Sequence, residues 1–362
     1  MSRYRFAAAG PDDDPALRAR MAADWMRGSL SVSFRREPSY FSGCALQGDG
    51  AQVYKCVDDE RGTLVGMGAR LTASMHVNGT PMRVGLLCDL RLAAEARGGT
   101  LVARGYRVVR QLHEADPVPF YVTVIMAGNH AALGSLASGR AGLPRYRDFG
   151  RMLTPAIHLD LPKPPLAVKG IQFRRARDAD AGALAELHAA AAGRRQFARE
   201  QRSLPPGLGA ADFFVAERGS RLVACLAAWD QHALRQTHLE AYSPGLGALR
   251  PFYNAATRLL PLKPLPAPGA RIPYLYLAAL ASRGDDVPLW RGLLRHAYRE
   301  LRSGPWHYAI LGLHERDPLA SILADYRSIA AAGHVFVVHY DDGAAIVDGL
   351  DGRPPYVDMA RI

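Results

Sequence analysis

The chain reads as an α/β protein of two tandem units, each a mixed sheet flanked by helices, and three observations predict this. Its 362 residues exceed one ordinary domain, and 49% hydrophobic content is enough for two cores. Asp160-Leu161-Pro162-Lys163-Pro164-Pro165 is a proline-dense break between two long periodic regions. The order of elements before the break recurs after it. The expected division is a first unit over 1–160, a linker over 161–170 and a second unit over 171–362.

Each unit opens alike. Tyr4-Arg5-Phe6 is followed by Asp12-Asp13-Asp14-Pro15 as a helix start, with Leu17, Met21 and Trp25 on one helical face. Ile171-Gln172-Phe173 is followed by Asp178-Ala179-Asp180, with Leu184 and Leu187 on one face. Hairpin strands come next: Val53–Val57 and Leu64–Leu71 with a turn at Asn78-Gly79, then Phe213–Ala216 and Leu222–Ala227 around Gly219. A strand through Val84, Leu86, Leu87, Leu90 and Leu92 runs through Arg97-Gly98-Gly99 into a helix carrying Leu101, Val102, Val108, Val109 and Leu112. Phe120–Ile125 is a buried strand, and Asn129-His130-Ala131 opens the next helix. Tyr121–Val124 aligns with Tyr308–Leu311, and the same register carries Leu90 onto Leu277, which predicts duplication. Val335–Tyr340 and Tyr356–Met359 are expected to close the chain as an antiparallel pair.

A strand, a glycine turn and a helix joined in this way aim backbone N–H groups at one point, which suits a phosphate. Gly98 and Gly99 remove side chains where a ligand would approach the main chain, and Arg97 adds a fixed charge. The same residues also fit a turn that needs glycine only for its backbone angles. Asp89-Leu90-Arg91-Leu92-Ala93-Ala94-Glu95-Ala96-Arg97-Gly98-Gly99-Thr100-Leu101 resembles the acyl-CoA-binding segment of the GNAT superfamily of N-acetyltransferases. Asp89, Leu90, Leu92, Arg97 and Gly98 fall on that pattern. Ala94, Thr100 and Val102 stand where the family usually has proline, glycine, and glycine or alanine.

The resemblance implies two tandem GNAT-like domains and an acyl-CoA-dependent N-acyltransferase, with acetyl-CoA as donor and an amine of a small molecule or peptide as acceptor. It places the CoA pyrophosphate on the amides of Arg97, Gly98, Gly99, Thr100 and Leu101. The pantetheine arm would lie along Leu90 and Leu92, with Asn129 near it. Asp89 becomes the candidate general base and Tyr146 the candidate acid, because family members often place a tyrosine near this point. Asp89 equally fits a residue that ties down the hairpin, and Cys88 fits a small core residue.

The second unit departs from the first, since the register places Gly284, Asp285 and Asp286 opposite Arg97, Gly98 and Gly99. Two carboxylates would repel a diphosphate, so this unit is expected to be a degenerate copy that does not bind CoA in the usual way. Asp285 or Asp286 also fits a helix cap before Val287-Pro288-Leu289-Trp290. In the acceptor region, Arg35 and Arg36 between Phe34 and Phe41 fit either carboxylate recognition or a solvated turn. His314-Glu315-Arg316-Asp317 reads as a surface loop.

Forty-five basic against 34 acidic residues give a formal charge of +11. This balance attracts CoA, tRNA or a membrane surface without choosing among them. No Lys/Arg block is interleaved with aromatics, which argues against a nucleic-acid partner. The cations are nearly all arginine, the coding bias of a GC-rich genome, and a bacterial source is expected. The four scattered cysteines have no metal-ligand spacing, and no secretory pattern opens the chain, so the expectation is a cytoplasmic protein without a metal. No apolar run reaches the roughly 18 residues of a membrane span. Two other classes fit the same residues: an aminoacyl or long-chain acyl transferase using tRNA or acyl carrier protein, and a non-catalytic binding protein.

Overall fold

The computed structural model describes residues 3–97, 99–136, 143–201 and 203–362. The first unit runs β1 (Tyr4–Ala8), α1 (Asp14–Ala23), β2 (Leu30–Arg35), α2 (Tyr40–Ala45), β3 (Asp49–Asp58), β4 (Thr63–Val77), β5 (Thr80–Leu92), α3 (Leu101–Ala115), β6 (Tyr121–Met126), α4 (His130–Leu136), β7 (Arg145–Leu153) and β8 (Ala156–His158). The second runs β9 (Gln172–Arg175), α5 (Ala181–Ala192), β10 (Phe213–Arg218), β11 (Arg221–Trp229), β12 (Gln236–Tyr242), α6 (Pro244–Ala256), β13 (Tyr274–Ser282), α7 (Val287–Leu301), β14 (Tyr308–Leu311), β15 (Leu313–His314), β16 (Ser328–Ile329), β17 (Ala332–His339) and α8 (Ala344–Asp348).

Local chemistry explains the principal elements. The β4–β5 hairpin closes on Asn78 and Gly79, both at positive φ (51° and 86°), with Val77 opposite Thr80. That is the geometry of a two-residue turn whose twist matches its strands. In α3 the buried side chains Leu101, Gly105, Tyr106, Val109 and His113 recur at helical spacing and face the sheet. Helix α7 starts on Asp286, whose Oδ1 accepts the Leu289 amide at 3.0 Å. The capping reading of Asp286 therefore holds, and such a cap contributes about 1 kcal/mol.

The sheets are not confined to their halves. The first orders its strands β1-β3-β4-β5-β6-β17-β7-β15, and the second β16-β8-β14-β13-β11-β10-β9. Strand β17, from the end of the chain, lies between β6 and β7, antiparallel to both. Strand β8 crosses the other way and pairs with β14 and β16. Residues 356–359 form no strand with β17, which corrects the expected closing pair. Val335 and Val337 instead project into the first core, and Phe336 and Val338 into the cluster beneath α3. A separate ribbon of β2 and β12 also ties the halves together.

His314 is fully buried in β15, and Asp317 is bonded by Arg195 at 3.0 Å, so this segment is not a surface loop. Among the described residues no helix is long and apolar enough to cross a membrane.

Candidate active site at the β5 bulge

Two features single out β5. Its parallel pairing with β6 covers only Gly85 opposite Tyr121 and Leu86 opposite Val122, after which the strands diverge. Gly85 is required there, because a Cβ would sit 2.1 Å from the Tyr121 ring. Past Leu87, whose carbonyl accepts the Thr123 hydroxyl at 2.8 Å, the edge of β5 is open to an extended ligand that could add a strand. The pairing with β4 is also interrupted: it skips from Cys88 to Arg91, and Asp89 in the bulge has φ 54°. A non-glycine residue there costs on the order of 1–3 kcal/mol, so its surroundings must hold it.

They do so through a buried ion pair. Arg36 Nη2 lies 2.5 Å from Asp89 Oδ2, and Tyr40 Oη donates to the same oxygen at 3.0 Å. Arg36 also donates to Cys44 Sγ at 2.9 Å and to Gln47 Oε1 at 2.5 Å, with its guanidinium 4.8 Å from the Tyr40 ring centre. The solvated-turn reading of this segment is thereby corrected for Arg36, which is 2% exposed. The sequence signal, two arginines beside aromatics, was visible, but nothing local distinguished Arg36 from Arg35, which pairs with Glu240.

Electrostatics follow from this packing. Burial would raise the Asp89 carboxyl, but Arg36, Arg91 and the Tyr40 hydrogen bond outweigh it and hold the group below the ordinary carboxylate range. Burial, reinforced by the Asp89 charge, keeps the Tyr40 phenol protonated far above its usual range and pushes the Cys88 thiol up to about 12. Arg235 acts on both Asp89 and Cys88 and donates to the Ala360 carbonyl at 2.8 Å. Arg199 donates to the carbonyls of Gln47 and Arg361, and Arg361 Nε to that of Leu46 at 3.2 Å. The junction of the two units is thus rich in guanidinium groups.

The glycine turn lies at the end of the same strand. Leu90 is 37% exposed, while Leu92 and Leu101 pack with Cys56 and Val65, so Leu101 offers only its backbone. Arg97 is exposed, with Nε on the Leu92 carbonyl at 3.0 Å and Nη2 on Asp24 at 3.3 Å. Gly98 lies outside the described residues. Gly99 is exposed with open space where a Cβ would be, and Thr100 begins α3 without a side-chain cap. The first turn of α3 carries no acidic residue. A helix start of this kind leaves amide donors for an anion.

Asn129 and Tyr146 lie elsewhere. Asn129 is exposed and caps α4, its Oδ1 accepting the Ala132 amide at 3.1 Å. Tyr146 is on β7, its hydroxyl bonded to that of Tyr106 and its ring edge-on to Phe336 at 5.6 Å. That cluster lies under α3, on the sheet face opposite the one that holds Tyr40 and Cys88. Asp89 and Tyr146 are therefore not brought together, and burial raises the Tyr146 phenol.

The second unit repeats the bulge and closes it. β11 pairs with β13 across a skip from Ala278 to Ala281, and Ala279 has φ 50°. This register carries Asp89 onto Ala279, correcting the sequence register that set Leu90 against Leu277. The segment from bulge to helix is shorter here, Ala279 to Val287 against Asp89 to Leu101. Asp358 Oδ2 accepts the Ala279 amide at 3.0 Å, and Tyr356 Oη the Leu280 amide at 3.1 Å. Among the described residues no side chain caps the amides of Asp89 or Leu90. Asp285 is engaged by Arg194 and Arg195 at 2.9 and 2.7 Å.

The order and pairing of these elements place the chain among folds already seen in solved acyltransferase structures. The chain has the GNAT-like acyltransferase fold, in two tandem copies. Saccharomyces cerevisiae N-myristoyltransferase with bound myristoyl-CoA superposes with TM-score 0.60 at 9% identity, over 94% of this chain and 80% of that one. A second structure of the yeast enzyme with myristoyl-CoA gives 0.61 at 9% identity, over 94% of this chain and 83% of that one. The GCN5-related glucosamine N-acetyltransferase region of a fungal multi-domain GH3 β-N-acetylglucosaminidase gives 0.60 at 13% identity, over 91% of this chain and 38% of that one. No protein-family model and no curated protein sequence matches the chain.

Proposed function

We propose that the protein is an acyl-CoA-dependent N-acyltransferase whose donor binds the first unit. The observation that carries this reading is the contrast between the two bulges: that of β5 opens onto a free strand edge, while that of β13 is filled by Tyr356 and Asp358. In this reading the diphosphate rests on the amides of residues 97–101, the pantetheine adds along Leu87–Leu92, and the thioester carbonyl meets the bulge. The bulge amides and the surrounding guanidinium groups stabilise the developing oxyanion. Holding the amine and thioester together supplies much of the remaining rate.

The acid–base roles follow from the same geometry. Asp89 is held ionised by Arg36, which makes it a weak base and a strong anchor, so its part in catalysis is to fix the bulge and the Tyr40 hydroxyl. Tyr146 would serve as acid only if the aromatic cluster around it opened.

Acetyl-CoA to an amine of a small molecule or peptide is the primary reaction proposed, in the cytoplasm, with the unit boundaries at 1–160 and 171–362. Transfer of a longer chain is the second reading, favoured by the likeness to N-myristoyltransferase over nearly the whole chain. Calorimetric titration of acetyl-CoA and myristoyl-CoA into wild type and Gly99→Asp tests both. Binding by wild type that the variant weakens supports the site, and the tighter donor selects the chain length. Equal binding by the two proteins removes the turn from the site.

A further inference from the structure

Helix α6 is turned inside out. None of its residues is buried, and Phe252 is 74% exposed, Leu249 55%, Leu259 just beyond it 90% and Leu260 52%. Ala248, Phe252, Ala255 and Leu259 follow one another at helical spacing, so these side chains form one outward stripe. The polar residues point the other way. Arg250 Nε donates to the carbonyl of Pro266 at 3.0 Å, and Asn254 exchanges bonds with Leu265 at 2.8 and 3.1 Å. A helix that ties its polar side chains inward and shows water a Phe-Leu stripe has a surface meant to be covered.

The charge around the stripe indicates what covers it. From Ala241 to Gly284 the sequence holds no Asp or Glu; of the cations in α6 and the segment after it, Arg250 and Lys263 donate to the carbonyls of Pro266 and Gly304 at 3.0 Å, which leaves Arg258 and Arg271 to face outward. Arg258 and Arg271 are exposed. The loop before β2 adds exposed Trp25, Met26 and Arg27, and its Ser29 carbonyl accepts the Ser243 amide at the start of α6. An exposed helix with Phe and Leu on its outer face, Trp in the loop bonded to its start, and exposed arginines in a stretch of sequence without acids, matches a segment that lies in a lipid–water interface. Exposed Arg27, Arg258 and Arg271, on a chain of formal charge +11, favour an anionic surface over a second copy of the chain.

We infer that α6 and the loop at Trp25 dock the protein on an anionic lipid surface. The inference is independent of the acyl-CoA reading, since none of these residues lines the β5 bulge. The test is co-sedimentation of the full chain with vesicles of phosphatidylcholine alone and of phosphatidylcholine with phosphatidylserine. It uses wild type, Phe252→Ser/Leu259→Ser and Arg258→Glu, with circular dichroism confirming folding. Wild type is expected to pellet with the anionic vesicles, less so at high salt. The double variant should lower the partition roughly tenfold or more, and Arg258→Glu should lower it on anionic vesicles only. Three results would overturn the inference: no pelleting of wild type, equal pelleting of the double variant, or a wild-type dimer in sedimentation velocity that the double variant dissolves.

Discussion

The Arg36–Asp89 pair concentrates the physics of the site in two side chains. Asp89 adopts a backbone conformation that an L-residue avoids, and Arg36 is withdrawn from water, so each is tolerable because of the other. Breaking such a pair leaves an uncompensated buried charge. Asp89→Asn is therefore expected to lose about 3–5 kcal/mol in urea unfolding. The pH dependence has a definite sign. Because the folded carboxyl titrates below its unfolded value of about 3.9, the pair's contribution is complete above that pH and is lost as pH falls through the folded value. The stability gap between wild type and Asp89→Asn should thus shrink in acid, and a gap that stays constant below pH ~4 would show that the pair is not its source.

At the scale of elements, the turn before α3 and the turn before α7 look alike in outline and differ in what fills them. Asp286 caps α7 from within the chain, whereas α3 has no such cap and no acid in its first turn. Asp286→Ala should lower stability by about 1 kcal/mol without touching acyl-CoA affinity. Gly99→Asp should do the reverse, since its side chain enters open space but places a negative charge at the helix start. Gly85→Ala should be costly for a steric reason, about 1–3 kcal/mol, because a methyl group would enter the Tyr121 ring. Thermal unfolding of the three variants beside wild type separates these causes.

For the whole molecule, the crossing strands decide how independent the two units are. Without β17, strands β6 and β7 each lose a partner and the first core loses Val335 and Val337. Without β8, the second sheet loses the strand between β14 and β16. Residues 1–160 and 171–362 expressed apart are therefore expected to be unstable or insoluble, and the intact chain to unfold in one transition. Two calorimetric transitions matching two soluble halves would contradict this. The paired exchange also carries the segment with Tyr356 and Asp358 to the second bulge, so the closure of one site is a consequence of how the halves are tied.

By itself the sequence determined much of the order of elements, though not the closing pair expected at 356–359, together with the hairpin at Asn78-Gly79 and a helix cap at Asp285 or Asp286. These depend on residues close along the chain, where a period of two or of 3.6 and the conformational limits of Gly, Asn and Pro are enough. Tertiary structure alone decided that Arg36 rather than Arg35 meets Asp89, that Tyr146 packs on the far face from Asp89, that β17 enters the first sheet, and that the stripe on α6 faces outward. Each joins or separates residues far apart in sequence. Local pattern states which side chains are apolar, but the partner each one finds depends on which distant strand arrives beside it.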